Sequence, residues 1–417
     1  MKNNFQIYIF FFLTIFCNTE LMGQFNYDQT LKTNNYNQPQ INSGVDQSLR
    51  NQQRGMEEFN KVINRNTKRR TYQFDLPEPD PSTTIAYRKT ANLLFSMLNG
   101  TKPANLKDAV FAVENAYFKG KLEYSKYNKA IQRIVTLARL KTAQNGYNWS
   151  DPLTRNMMLF RIMADTMTIK VPGQETPVTS YPMLYDFNDP KGDDDNTKQF
   201  VSKLLSTHSG QCHSLPLLYL ILAEETNTPA QLSLSPAHMY VKIKDKSGTF
   251  YNLELTNRHI TSDAFILGSG YITSEALKNH LYMEPLTKKQ VIAMTLNDLT
   301  NNYLDNIGYS KFALQCNDSV MKYDPNNFQA LSIRSNYYTA HFKYVTDQLQ
   351  RPTLEQIQTY YPKVYKVLQM RNQVYDKVDH SGYRKMPKEV YQQWLKSADK
   401  EKRDQEEKLN KMILINR

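Results

Sequence analysis

A chain of 417 residues, 40% hydrophobic and 22% charged, has room for two or three domains. With a mean hydropathy of −0.63 it is too polar for a multispanning membrane protein, yet too apolar for a wholly disordered one, and three cysteines cannot build a disulfide framework. The 52 Lys+Arg against 40 Asp+Glu give a net charge of +12, but the positives are scattered among acids without an aromatic-basic stripe, which reads as solubility and weak steering and excludes a nucleic-acid role.

The N-terminus carries one basic residue, Lys2, then an apolar run from Ile7 to Phe16, then Gly23 before Gln24. This predicts a cleaved secretory signal over residues 1–23, and so an exported protein, periplasmic or secreted. The run is shorter than the ~20 apolar residues of a spanning helix. A lipid anchor on Cys17 is the weaker alternative, because Thr14-Ile15-Phe16 lacks the small side chain expected ahead of such a cysteine. No later segment is long enough to span a membrane, Leu215 to Ala223 being the most apolar.

Residues 24–80 read as a disordered leader, rich in Asn, Gln and Tyr at first and closed by Pro77-Glu78-Pro79-Asp80-Pro81, which cannot continue a helix. A helical region is expected over 81–149. Asn105 is an N-cap with Asp108 in the first turn; Ala109, Val110, Val113, Ala116 and Tyr117 form a stripe, and Gly120 stops the helix. Tyr127, Ile131, Ile134, Leu137 and Ala138 make a second stripe, and Ser150-Asp151-Pro152 opens a third helix. From about 169 to 195 the chain is irregular, and Gly192-Asp193-Asp194-Asp195 reads as a solvated turn rather than a calcium loop.

Residues 286–417 are helical again. Phe312 to Ser319, then Tyr323-Asp324-Pro325-Asn326-Asn327 and Ala330, resemble the second half of a tetratricopeptide repeat and the start of the next. They predict a small helical appendage and a candidate surface for a protein partner. The tail, with Trp394, Lys396, Lys400, Glu401, Glu406 and Glu407, reads as a charged, exposed helix.

Chemistry concentrates in residues 196–257. Ser206-Thr207-His208-Ser209-Gly210-Gln211-Cys212-His213-Ser214 precedes a run, Leu215 to Ala223, that is apolar all round, as in a helix buried on every side. Pro216 fits only the first turn of that helix, so Cys212 sits at its N-terminal end. There a nearby imidazole and the helix dipole favour the thiolate, and backbone N–H groups can meet a developing oxyanion. The plainer alternatives are a small buried residue or a disulfide to Cys316.

Met239, Val241 and Ile243 alternate with His238, Tyr240, Lys242 and Lys244; Tyr251, Leu253 and Leu255 alternate with Phe250, Asn252 and Glu254. A three-residue loop, Lys246-Ser247-Gly248, with Gly248 left-handed, pairs 245 with 249, 240 with 254 and 238 with 256. His238 and Glu254 then become diagonal neighbours on one face, roughly 7 Å apart, and the six apolar residues share the other. Cys212, His238 and Glu254 thus form a nucleophile, base and orienter. Asn257 and Asn252 are secondary candidates for orienting the imidazole, Gln211 and Asn257 for substrate or oxyanion contact. His208 and His213 read as scaffold. A metal site from His208, Cys212, His213 and His238 lacks paired ligand motifs, so neither metal nor other cofactor is expected.

Gly210-Gln211-Cys212 with its apolar helix, Ala237-His238-Met239-Tyr240-Val241, and Gly248 to Thr256 together resemble the transglutaminase-like superfamily of papain-type thiol enzymes over residues 150–285. The resemblance implies an α+β fold: a buried helix packed on an antiparallel sheet, flanked here by N-terminal helices and a C-terminal helical extension. It also implies a Cys-His-Asp site that breaks or transfers amide bonds of a peptide or protein through an acyl-enzyme. Glu254 stands where the family has Asp, and Met239 where an aromatic residue usually follows the histidine. The superfamily includes inactive relatives, so the alternative is a scaffold that binds a protein or peptide without catalysis.

Overall fold

The computed structural model describes residues 71–190, 192–269, 271–387, 389–393 and 396. The segments expected to be a signal sequence and, up to residue 70, a leader, and most of the tail expected to be a charged helix, lie outside the described residues. Two compact units are distinguished: Pro77–Tyr338 with the chain from Met370 onward, and a smaller one comprising, among the described residues, 71–76 with Thr339–Gln369.

The larger unit opens with four helices: α1 (Pro81–Asn99), α2 (Leu106–Tyr117), α3 (Tyr124–Gln144) and α4 (Pro152–Ala164). Their starts follow from local chemistry. Asp80 and Asp151 each accept a backbone N–H ahead of a proline at the first helical positions, and the Asn105 side chain accepts from Asp108 N at 2.8 Å. Three short strands follow, β1 (Met167–Ile169) at the edge of the stretch expected to be irregular and β2 (Val178–Ser180) and β3 (Leu184–Tyr185) within it, of which β1 and β2 pair with each other. Two or three residues are too few to show a period-2 pattern.

After a 3-10 turn at Asn196–Gln199 come α5 (Val201–Thr207), β4 (Ser209–Gly210) and α6 (Ser214–Glu225). Every residue of α6 from Ser214 to Ala223 is buried, and the helix contacts α2, α3, α4, α5, β5 and β6. At roughly 1.5–3 kcal/mol for each buried Leu or Ile, it is the main hydrophobic contributor to this part of the molecule. It packs on a four-stranded antiparallel sheet of order β5 (Gln231–Ser235), β6 (His238–Lys244), β7 (Phe250–Glu254) and β8 (His259–Thr261). The arrangement is mixed helix and antiparallel sheet, α+β.

The β6–β7 register pairs Val241 with Leu253 and Lys244 with Phe250, and the loop closes through Asp245 N to Thr249 O at 3.0 Å. Gly248 has φ +87°, a conformation that glycine adopts without a Cβ clash. Met239, Val241, Ile243, Leu253 and Leu255 join α6 in the core, but Tyr251, expected with them, is exposed. β8 reaches only as far as Asn252, so nothing on that strand covers Tyr251. The polar face of the sheet is not solvated either. His238, Tyr240, Lys242, Asn252 and Glu254 are buried because the chain returns across them: Lys242 Nζ donates to Met283 O, and Asp263 takes both Lys242 and Asn252.

Beyond β8 lie α7 (Asp263–Ser269) and α8 (Ser274–Lys278), then α9 (Lys288–Asn306), α10 (Lys311–Tyr323) and α11 (Phe328–Gln348). α9 starts in a capping box between Thr287 and Gln290 and packs against α1, α2 and α10. It belongs to the central core, which corrects the expectation of a separate appendage beginning at 286. The Asp324-Pro325-Asn326-Asn327 turn does join two helices, with Asn327 Oδ1 accepting from Ala330 N at 2.9 Å. However, α11 runs for 21 residues, too long to share a repeat of about 34 residues with a second helix and its turns.

In the smaller unit, Gln73 and Gln348 exchange hydrogen bonds and His341 Nε2 donates to Phe74 O at 2.8 Å. Residues 73 and 74, within the stretch expected to be a disordered leader, are therefore held in place by hydrogen bonds. This unit also holds α12 (Leu354–Tyr360) and the start of α13 (Pro362–His380). Near the end of the chain, Tyr391 is buried rather than exposed, unlike Lys396.

Candidate active site

Cys212 lies in the turn that feeds α6. The helical ladder begins with Leu215 N donating to Gln211 O at 3.0 Å, so the cysteine occupies the first turn, where backbone N–H groups have no partner within the helix. The approach is fixed on both sides. β4 pairs in parallel with β3, and Asp186 N donates to Gly210 O at 2.8 Å. Ser214 Oγ accepts from Gln211 N and donates to Lys198 O. The thiol sulfur sits 3.9 Å from Ala237 O, the residue just ahead of His238.

His238 begins β6 after a two-residue turn, Pro236-Ala237, in which Ala237 adopts φ +55°. Glu254 ends β7. The register places the two on one face as diagonal neighbours, and His238 Nε2 lies 2.7 Å from Glu254 Oε2. Cys212, whose sulfur faces the carbonyl of the residue preceding His238, acts electrostatically on the same ring. Burial by itself would push the imidazole down; the Glu254 charge and the Cys212 thiol outweigh it and raise the ring to about 10. With the carboxylate on Nε2, Nδ1 is the nitrogen left for the thiol. Cys212, His238 and Glu254 therefore meet, and all three are largely covered, with 9%, 6% and 4% of their surfaces exposed.

The remaining candidates separate. Gln211 is buried and its side-chain amide donates to Asp189 O, holding the preceding loop. Asn252 donates to Asp263 rather than to the imidazole. Asn257 is half-buried in the turn between β7 and β8. His208 is exposed and left-handed at the end of α5, a scaffold position. In the acidic loop, Asp189 accepts from Asp194 N and Asp195 N, while Lys198 pairs with Asp186 and Asp189. Those carboxylates are neutralised by the loop itself. Cys212 and Cys316 are both free, and burial pushes the Cys316 thiol up to about 12.

Two buried acids behind Cys212 went unread in the sequence. Asp298 of α9 lies 3.2 Å from His213 Nε2, and Glu114 of α2 accepts from Val201 N and Ser202 N at the start of α5. A signal existed for both: each carboxylate stands within an otherwise buried helix stretch, Glu114 beside Val113 and Asp298 beside Leu299. A charge there needs a partner. Compared with known proteins, the chain matches no family model, no curated protein and no solved structure.

Proposed function

We propose that this chain is an exported thiol enzyme of the transglutaminase-like kind, which cleaves or transfers an amide bond of a peptide or protein through an acyl-enzyme on Cys212. The supporting observation is the 2.7 Å contact of Glu254 with the His238 ring, together with a cysteine just ahead of a buried helix whose sulfur lies 3.9 Å from the carbonyl of the residue preceding that histidine. At neutral pH the His238 ring, raised to about 10, already carries the proton given up by Cys212, and the sulfur attacks the carbonyl carbon, forming a C–S bond as the C=O electron pair moves onto oxygen. The oxyanion is met by backbone N–H groups of the first turn of α6. Collapse breaks the C–N bond, and His238 returns the proton to the departing amine. Water or a second amine then takes the acyl group from sulfur, with His238 again accepting a proton and returning it to the thiolate. Glu254 holds the ring orientation throughout and balances its charge.

The burial of the three side chains favours a second reading, a scaffold that keeps an unused site and binds a protein or peptide partner. Alkylation by iodoacetamide between pH 5 and 9 separates the two. The enzyme reading expects Cys212 to react at lower pH and at least tenfold faster than Cys316, and His238→Ala to abolish the difference. Equal, slow reaction of both thiols favours the scaffold.

A further inference from the structure

His213 follows the nucleophile directly and is itself buried. Its Nδ1 lies 3.0 Å from the carbonyl oxygen of Gln199 in the 3-10 turn, and its Nε2 lies 3.2 Å from Asp298 Oδ2 on α9. A peptide carbonyl offers only lone pairs, and so does an ionised carboxylate. With Asp298 ionised, both ring nitrogens donate, which only the doubly protonated ring can do. A neutral ring would leave one lone pair facing another in a site from which water is excluded.

We propose that His213 is a standing imidazolium, fixed by Asp298 and the Gln199 carbonyl, and that its charge acts as a positioning device holding Cys212 in the thiolate form. This rests on the reading of Cys212 as the nucleophile. Other charges around the ring are consistent with it. Burial pushes the ring down, but Asp298 and the Gln199 carbonyl carry it up to about 9, with the Cys212 thiol contributing in the same direction. Glu114 faces it from α2, and its carboxylate is occupied by the Val201 and Ser202 N–H groups. Lys198, beside Gln199, is neutralised by Asp186 and Asp189. Charge coupling is mutual: a thiolate that favours the His213 cation is favoured by it equally. In this arrangement His238 is the proton carrier and His213, next in the chain to the thiol, is the fixed charge. The sequence Cys-His is the reason one helix start can carry both.

The test uses the full chain with 15N-labelled histidine. Both His213 nitrogens should be protonated at pH 7.5 and titrate near pH 9. Asp298→Asn should return the ring to neutral and raise the pH midpoint of Cys212 alkylation by roughly one unit, a tenfold loss of rate at fixed pH. Asp298→Glu should restore most of it. Cys212→Ser, which removes the thiolate and tests the same coupling from the other side, should lower the His213 midpoint. A ring that is neutral at pH 7.5, or an alkylation profile unmoved by Asp298→Asn, or a His213 midpoint unmoved by Cys212→Ser, overturns the proposal. If His238→Ala removes the alkylation difference while Asp298→Asn does not, the fixed charge alone fails. If neither variant alters Cys212, the thiol-enzyme reading fails with it.

Discussion

The hydroxyl of Ser214 fills the space where a side chain on residue 210 would begin. A Cβ placed on Gly210 would lie 2.4 Å from Ser214 Oγ and 3.1 Å from Leu204 Cδ1, inside contact distance of both. That hydroxyl holds Gln211 N and Lys198 O, the two groups that steer the chain into Cys212. Gly210→Ala should therefore cost about 1–3 kcal/mol by overpacking and slow Cys212 alkylation as well. In urea unfolding the Gly210→Ala, Ser214→Ala pair should be less destabilised than the two single changes added together. Strict additivity would mean that the close approach stores no strain. At this scale the triad was readable because each member has a local marker: a glycine and an apolar helix at Cys212, and strand alternation at His238 and Glu254. Gln211 carried no such marker. Its partner is a backbone carbonyl 22 positions away, on a loop whose path no periodicity specifies.

α5 is a helix of seven residues whose N-cap, Phe200, has no side chain able to cap it. Glu114 supplies the missing acceptor from α2, taking Val201 N at 2.6 Å and Ser202 N at 2.9 Å. Burial pushes this carboxyl up, the two N–H bonds pull it down, and it stands at about 7 against an ordinary 4.5. The folded state thus holds a proton that the unfolded chain has released between pH 4.5 and 7. The stabilisation it gives is complete below 4.5 and lost as pH rises through 7, up to roughly 3 kcal/mol for a group so deeply buried. Glu114→Gln should flatten the decline of unfolding free energy across that window, while Glu114→Ala should lower stability by about 1–3 kcal/mol throughout by orphaning the two donors. An unchanged pH slope in Glu114→Gln would assign the titration to another group. Among the elements, the β6–β7 hairpin was legible because one glycine and two alternating runs admit a single register. β5 and β8 were not. Two leucines among three polar residues, and a three-residue edge strand, are too little pattern to set against a loop.

In the larger unit one continuous core runs from Tyr87 of α1 through Cys212 and α6 to Ala330 of α11. α9 is the element that a domain boundary at 286 would have cut away. Its periodic pattern announces a helix but not its neighbours, and those neighbours turn out to be α1 and α2. Val291, Ile292, Leu296, Leu299 and Tyr303 are all buried on it. At roughly 1.5–3 kcal/mol each they contribute on the order of 10 kcal/mol, comparable with the whole net stability of about 5–15 kcal/mol expected of a domain. Asp298 also leaves with α9, stranding the His213 charge. A fragment ending at residue 286 should therefore fail to fold: no cooperative urea transition, dye binding to exposed apolar surface, and a Cys212 that alkylates like a free thiol whether or not His238 is present. In the full chain, loss of helix signal and exposure of Cys316 to alkylation should fall on one urea midpoint, because the helices and the site rest on the same core. A fragment that unfolds cooperatively and keeps His238-dependent alkylation would restore an autonomous catalytic core over 150–285 and return α9 to the role of an appendage.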